Sequence, residues 1–241
     1  MSVNKSKQSN QKQSSGKLGF VKNLLSTALK LWLKSQVSKV SQLEVEINAK
    51  DRQILSGCVP FVSIRAQDAI YQGIHITQVN LVAENIRINI GSVLKGKPFK
   101  LLETVPVTGE LRVNEEDLSA STSSALLSDA LNDILATVLP NHWSKSKLNK
   151  WQNISIQNNS LVILATSYTQ GKPLAVEITI GLNLITNHEL KISPIRAINN
   201  TELLLNDENG RLIDLGAEVD IQYFSLSSRQ LNCSGKVNVN P

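Results

Sequence analysis

Residues 18–49 read LGFVKNLLSTALKLWLKSQVSKVSQLEVEINA, and within them the apolar spacing changes from that of a helix to that of a strand. Leu18, Val21, Leu25, Ala28, Leu29, Trp32 and Gln36 fall on one side of a helix of about 3.6 residues per turn, with Lys30 and Lys34 opposite. Leu24, Leu31 and Leu33 broaden that face. From Leu43 the period is two: Leu43, Val45, Ile47 and Ala49 alternate with Glu44, Glu46 and Asn48. A long apolar helix over 18–40 followed directly by half-buried strands sets the class as α+β, a single domain over 18–241.

The same alternation recurs downstream. Val62, Ile64 and Ala66 alternate with Ser63, Arg65 and Gln67, and Tyr71-Gln-Gly73 makes a turn. Val79, Leu81 and Ala83 share one phase, while Ile86, Ile88 and Ile90 take the other. A slip near Glu84–Asn85 reads either as a β-bulge or as a join between two short strands. Lys95-Gly-Lys-Pro98 is a turn, and Val105, Val107, Leu111 and Val113 complete the strands expected over 43–113. A second helix is expected over 114–139. Asn114 opens it as N-cap, Glu115, Glu116 and Asp117 suit the positive end of the helix dipole, and Pro140 stops it. About five more strands fill 150–241. Leu174, Val176, Ile178, Ile180, Leu182 and Leu184 give the cleanest of them, and Ile213–Phe224 and Leu231–Val239 read as one strand each.

Charge separates the chain into an arm and a body. Lys and Arg total 25 against 20 Asp and Glu. Eight of the lysines lie in the first 43 residues, which hold no acid, so the remainder carries 17 against 20, a net of −3. Residues 1–17 read as a disordered polar tail. Lys22, Lys30 and Lys34 interrupt the apolar helix and exclude it as a membrane span, each costing about 2.5–3.5 kcal/mol near a span's centre. Two uses of the helix fit: it lies in a headgroup layer with its lysines on anionic lipid, or it packs as core on the sheet.

Catalytic patterns are missing from the sequence. His75, His142 and His188 are far apart and lack zinc-type spacing. There is no phosphate loop, dinucleotide fingerprint or nucleophile elbow. No enzyme, metal or cofactor is expected, and the basic tail alone is a poor case for nucleic acid. Cys58 and Cys233 are too few for a disulfide framework and read as two separate buried thiols.

A family likeness rests on particular residues. Ser56-Gly57 and the run to Ile70, Tyr71-Gln-Gly73-Ile74, the strand Val79–Ile90 and Val107-Thr-Gly-Glu-Leu-Arg-Val113 are the first part of it. Asn114-Glu-Glu-Asp-Leu118 and the closing Gly235-Lys-Val-Asn-Val-Asn-Pro241 complete it. In these the chain resembles the bacterial LmeA-like phospholipid-binding proteins over most of residues 43–241. The resemblance implies a strongly curved, mostly antiparallel sheet wrapped around the helix, similar to the tubular lipid-binding folds. It also implies a non-enzymatic protein that binds or shuttles phospholipid at a bacterial membrane surface.

On that reading acyl chains lie between helix and sheet. Leu25, Leu29 and Trp32 line the helix side, Val176, Ile178 and Ile180 the sheet side, and Lys22, Lys30 and Lys34 meet the headgroups. With no recognisable secretory signal, the expected place is peripheral, on the cytoplasmic side of the membrane. The alternative is a protein-interaction module with a filled core and a solvated basic arm.

Overall fold

The computed structural model describes residues 9–138, 148–169, 172–199, 202–227 and 229–241. Helix α1 (Ser9–Gln36) begins inside the segment read as a polar tail and ends close to the change of period. Gln and Lys lose little side-chain freedom in a helix, so a polar run without proline can extend one. Strand β1 (Gln42–Asn48) follows with Ile47 buried and Glu44 and Glu46 exposed. A short helix α2 (Asp51–Leu55) then leads through Ser56-Gly57 into β2 (Cys58–Tyr71). Gly57 sits at φ +79°, and a Cβ there would lie 2.8 Å from the Ile88 carbonyl oxygen. Its own carbonyl accepts Ile88 N–H at 2.9 Å. Glycine is required at this turn by both backbone and space.

Strand β3 (Ile74–Arg87) is continuous, and its phase slip is not an inserted residue. The pairs Val59↔Ile86 and Phe61↔Glu84 keep one register across it, with Asn85 at φ +53° between them. Both strands change face together, so Ala83 and Ile86 of β3, and Val59 and Val62 of β2, border one apolar space. A helical turn α3 (Ile90–Val93) and a loop precede β4 (Val105–Asn114).

The helix expected over 114–139 is two helices, α4 (Glu115–Ala120) and α5 (Ala125–Val138), separated by a 3-10 turn at Ser121–Ser123. Serines break it by bonding locally. The fully buried Ser121 hydroxyl donates to the Asp117 carbonyl at 2.7 Å and accepts His75 N–H at 2.8 Å. Ser124 Oγ accepts Leu127 N–H at 3.1 Å and starts α5. Asn114 occupies the N-cap position of α4, but its side chain makes no capping bond.

The acids after Asn114 do more than suit a dipole, because they tie two strands and a strand-joining turn together. Glu115 accepts Arg229 Nε–H at 2.8 Å through one oxygen and Ile156 N–H at 2.7 Å through the other. Glu116 accepts Arg229 Nη2–H at 2.9 Å, and Asp117 accepts the Thr77 hydroxyl. The hydrogen bond from Arg229 to Glu115, with the charges of both glutamates, holds the guanidinium's pKa above its usual value.

The second half is eight strands rather than about five: β5 (Leu148–Gln157), β6 (Ser160–Thr169), β7 (Lys172–Thr186), β8 (Glu189–Asn199), β9 (Glu202–Asp207), β10 (Arg211–Asp214), β11 (Val219–Ser227) and β12 (Gln230–Val239). Tight turns account for the difference. Asn159 at φ +57° closes the β5–β6 hairpin, and Gly216 at φ +90° divides the run Ile213–Phe224 into β10 and β11. Those two pieces belong to different sheets.

Two six-stranded antiparallel sheets therefore replace the one curved sheet expected. The first runs β1-β2-β3-β4-β12-β11; the second runs β10-β8-β7-β6-β5, with β9 beside β10 on the outer edge of β8. Neither closes on itself. The chain leaves the first sheet after β4, builds the second, and returns so that β12 pairs with β4 along its whole length. In that ladder Gly235 faces Gly109. A Cβ on Gly235 would lie 2.3 Å from the Asp220 carbonyl oxygen, so β11 crosses close over this point.

The apolar interior falls into two clusters. One, between the sheets and α4–α5, holds Val113, Leu118, Trp151, Ile154, Ile163, Ile178, Ile195 and Leu226. The other, between α1 and the first sheet, holds Leu25, Leu29, Ile47, Val59, Val62, Ile88 and Phe99. Cys58 and Cys233 are free and half-buried, as two separate thiols. Strands β3 and β4 lie between theirs, and Cys233 is level with Ala66 of β2 rather than with Cys58, which puts the pair far beyond disulfide reach. Burial pushes the Cys233 thiol's pKa up.

Candidate functional site

Helix α1 lays Leu25, Leu29, Trp32 and Leu33 across the face of the first sheet, and beneath them lies an apolar cavity of about 210 Å³. Its floor comes from five strands: Ile47 of β1, Val62 and Ile64 of β2, Leu81 and Ala83 of β3, Val105 and Val107 of β4, and Val237 and Val239 of β12. Phe99 and Leu101, from the loop before β4, close one side. Every lining residue is apolar. Water in such a space would find too few hydrogen-bond partners to compensate for leaving bulk.

Size narrows the occupant further. An apolar cavity of about 150 Å³ admits a benzene-sized molecule, whereas whole drug-sized ligands need roughly 300–1,000 Å³. This one suits a length of acyl chain rather than a complete phospholipid. The strands explain the smooth wall. Alternation sends one side chain in two inward, and those on β2, β3 and β4 are nearly all β-branched or leucine.

Leu25, Leu29 and Trp32, set on one face by helical spacing, are brought together on the cavity wall. Leu25 is 1% exposed and Leu29 6%. Val176, Ile178 and Ile180 lie elsewhere: they are buried in β7 of the second sheet, in the inter-sheet cluster. The structure does not bring them to the helix. The sheet wall is supplied instead by the in-phase residues of β2, β3 and β4. Their alternation is plain in the sequence, but it does not say which strands α1 will cover. Phe99 carried one unused signal, being one of four phenylalanines in the chain and placed just after a lysine-rich turn.

Lys22 and Lys34 are exposed and Lys30 is half-buried; none borders the cavity. By helical spacing Lys30 and Lys34 lie away from the Leu25–Leu29 stripe and Lys22 lies along it, and among the described residues none of the three forms an ion pair. Trp32 packs on Phe99 with ring centroids 5.4 Å apart and planes at 51°, a tilted arrangement that adds to simple burial. Among the described residues no three His, Cys, Asp or Glu side chains gather in a way that would hold a metal ion. Nor, among them, is any helix long and apolar enough to cross a membrane.

Comparison with known proteins agrees with this geometry. The model of the LmeA-like phospholipid-binding family matches residues 16–236, nearly the whole chain. No curated protein and no solved structure matches it. The chain belongs to the LmeA-like phospholipid-binding family.

Proposed function

We propose that this member of the family is a non-enzymatic lipid carrier that holds an acyl chain of a phospholipid between α1 and the first sheet, at a membrane surface. The observation that carries the reading is the wholly apolar cavity of about 210 Å³ under Leu25, Leu29 and Trp32. Each methylene moved from water into it contributes about 0.8 kcal/mol, so six to eight of them give roughly 5–6 kcal/mol toward withdrawing a chain from a bilayer. No covalent step is needed, and the chain leaves as it came.

Docking falls to the lysines of α1. Lys22, Lys30 and Lys34 present three cations without an acidic residue on the same helix. Near an anionic surface each contributes about 1 kcal/mol. Replacing Lys30→Glu and Lys34→Glu together is expected to weaken sedimentation with phosphatidylglycerol vesicles by more than about tenfold while leaving the circular dichroism spectrum unchanged. Unchanged sedimentation would remove these lysines from the docking role.

The loading test is direct. Detergent-free protein is incubated with phosphatidylglycerol vesicles, separated by gel filtration and extracted for mass spectrometry. Stoichiometric lipid is expected on the wild-type chain and none on Ala83→Trp, whose indole fills the cavity. An empty wild-type protein would favour a filled core and an interaction module in place of a carrier.

A further inference from the structure

The opposite flank of α1 borders a second space, an open groove of about 390 Å³ between the helix and the α3–β4 loop. Leu24, Ala28 and Leu31 form its helix side, and Val93, Lys97 and Pro98 its loop side. Trp32 and Phe99 border this groove and the inner cavity alike, so one pair of tilted aromatic rings stands between the two. Leu31 is 63% exposed there, a large apolar side chain left in water.

The loop is basic and held in shape. Residues 95–100 read Lys-Gly-Lys-Pro-Phe-Lys, three cations without an acid. None of the three forms an ion pair among the described residues. Asn89 fixes the segment from below, donating to the Pro98 carbonyl at 2.9 Å and accepting Lys100 N–H at 2.8 Å. Gly96 N–H and Lys97 N–H bond back to Val93 and Ser92, each at 3.0 Å. The Lys97 backbone is thus anchored where its side chain borders an apolar groove.

We propose that this groove is the site of a second acyl chain and that Lys97 meets the headgroup phosphate, making the ligand a two-chain anionic phospholipid. The inference rests on the reading that the inner cavity takes one chain. Two chains of one lipid diverge from a single glycerol, so their sites must adjoin and share a wall. The Trp32–Phe99 pair is such a wall. Neither space alone suits a whole phospholipid. The inner cavity has no polar residue for a phosphate, whereas the groove is open and has a cation on its rim.

The test compares a two-chain with a one-chain probe, phosphatidylglycerol and lysophosphatidylglycerol, each captured by the full chain and quantified after gel filtration. Leu31→Asn changes an exposed side chain without adding a charge beside the anionic headgroup, so the fold is retained. It is expected to reduce phosphatidylglycerol capture more than about tenfold, equivalent to leaving about two methylenes in water. Capture of lysophosphatidylglycerol is expected to stay within about twofold of wild type, since a tenfold change would need a lost interaction of that size. Equal capture of phosphatidylglycerol by Leu31→Asn and wild type would overturn the second site. Lys97→Glu is expected to abolish preference for phosphatidylglycerol over phosphatidylcholine, and a retained preference would overturn the headgroup assignment. Wild-type protein that captures neither probe would fail the inner-cavity reading itself. Capture of the one-chain lipid alone would fail only the second site.

Discussion

In the core of the second sheet, Ile154, Ile163, Ile178, Ile192 and Ile195 are each 2% exposed or less, and none of them borders the cavity. Between α1 and the first sheet, leucines, isoleucines and valines of the same kind surround about 210 Å³ of space. The residues do not differ in chemistry; the partners differ in shape. Strands β5 to β8 are covered by α4, α5 and residues of β4, β11 and β12, whose side chains fill the gaps between their own. A helix about 10 Å across laid on a six-stranded sheet about 24 Å wide covers less than half of it. Side chains from β2, β3, β4 and β12 border the space left beside and below the helix. The hollow follows from covering a wide sheet with one narrow element.

The largest effect expected from this difference is on truncation in the inter-sheet core. Ile195 has no exposed surface, and Ile195→Ala should lower stability to urea by about 2–5 kcal/mol. Saturating phosphatidylglycerol should stabilise wild type and this variant by the same increment, about 2.7 kcal/mol at a hundredfold excess over Kd, because lipid and Ile195 occupy different cores. Coupling between them would mean that the two cores are not independent.

Enlarging a side chain should separate the cores more sharply, though with a smaller effect. Ala165 is 1% exposed on β6, among the packed isoleucines. Ala165→Leu has no room to fill and should cost about 1–3 kcal/mol. Ala83 borders the cavity, and Ala83→Leu puts its added atoms into existing space. Its stability should stay within about 1 kcal/mol of wild type or rise, while lipid capture falls. Equal penalties for the two substitutions would show that the space under α1 closes in solution.

Much of this contrast was legible in the sequence and part of it was not. The helix stripe of Leu25, Leu29 and Trp32 could be read because helical spacing alone decides which side chains share a face. The α+β class and the acidic start at Asn114-Glu115-Glu116-Asp117 were visible for the same local reasons. Strand partnership was not local. β7 has the cleanest alternation in the chain and so drew Val176, Ile178 and Ile180 into the expected site, although the chain had already crossed to a second sheet. The division at Gly216 was hidden because Ile213 and Phe224 keep a strand-like pattern across a turn. The paired phase change at Pro60 and Asn85 imitated a bulge, since one strand read alone does not reveal that its neighbour turns with it.

The smallest expected effect is the one most specific to the hollow. Gly109 and Gly235 face each other in the β4–β12 ladder, in the motifs Val107-Thr-Gly-Glu-Leu-Arg-Val113 and Gly235-Lys-Val-Asn-Val-Asn-Pro241. A Cβ on Gly235 meets backbone of β11, Asp220 O at 2.3 Å and Ile221 Cα at 2.8 Å, which cannot move aside alone. Gly235→Ala should therefore cost about 1–3 kcal/mol. A Cβ on Gly109 is crowded by the tip of Leu81, Cδ2 at 3.0 Å, with Asn80 O at an ordinary 3.8 Å, and Leu81 borders the cavity. That tip has somewhere to go. Gly109→Ala should be neutral or stabilising by up to about 1 kcal/mol, as expected when a strand glycine gives way to alanine without strain. The benefit should disappear when the cavity holds an acyl chain, because Leu81 then has no space to enter. A Gly109→Ala variant as unstable as Gly235→Ala, with or without lipid, would mean that the wall around Leu81 is already closed, and with it the claim that this half of the interior is built to be occupied.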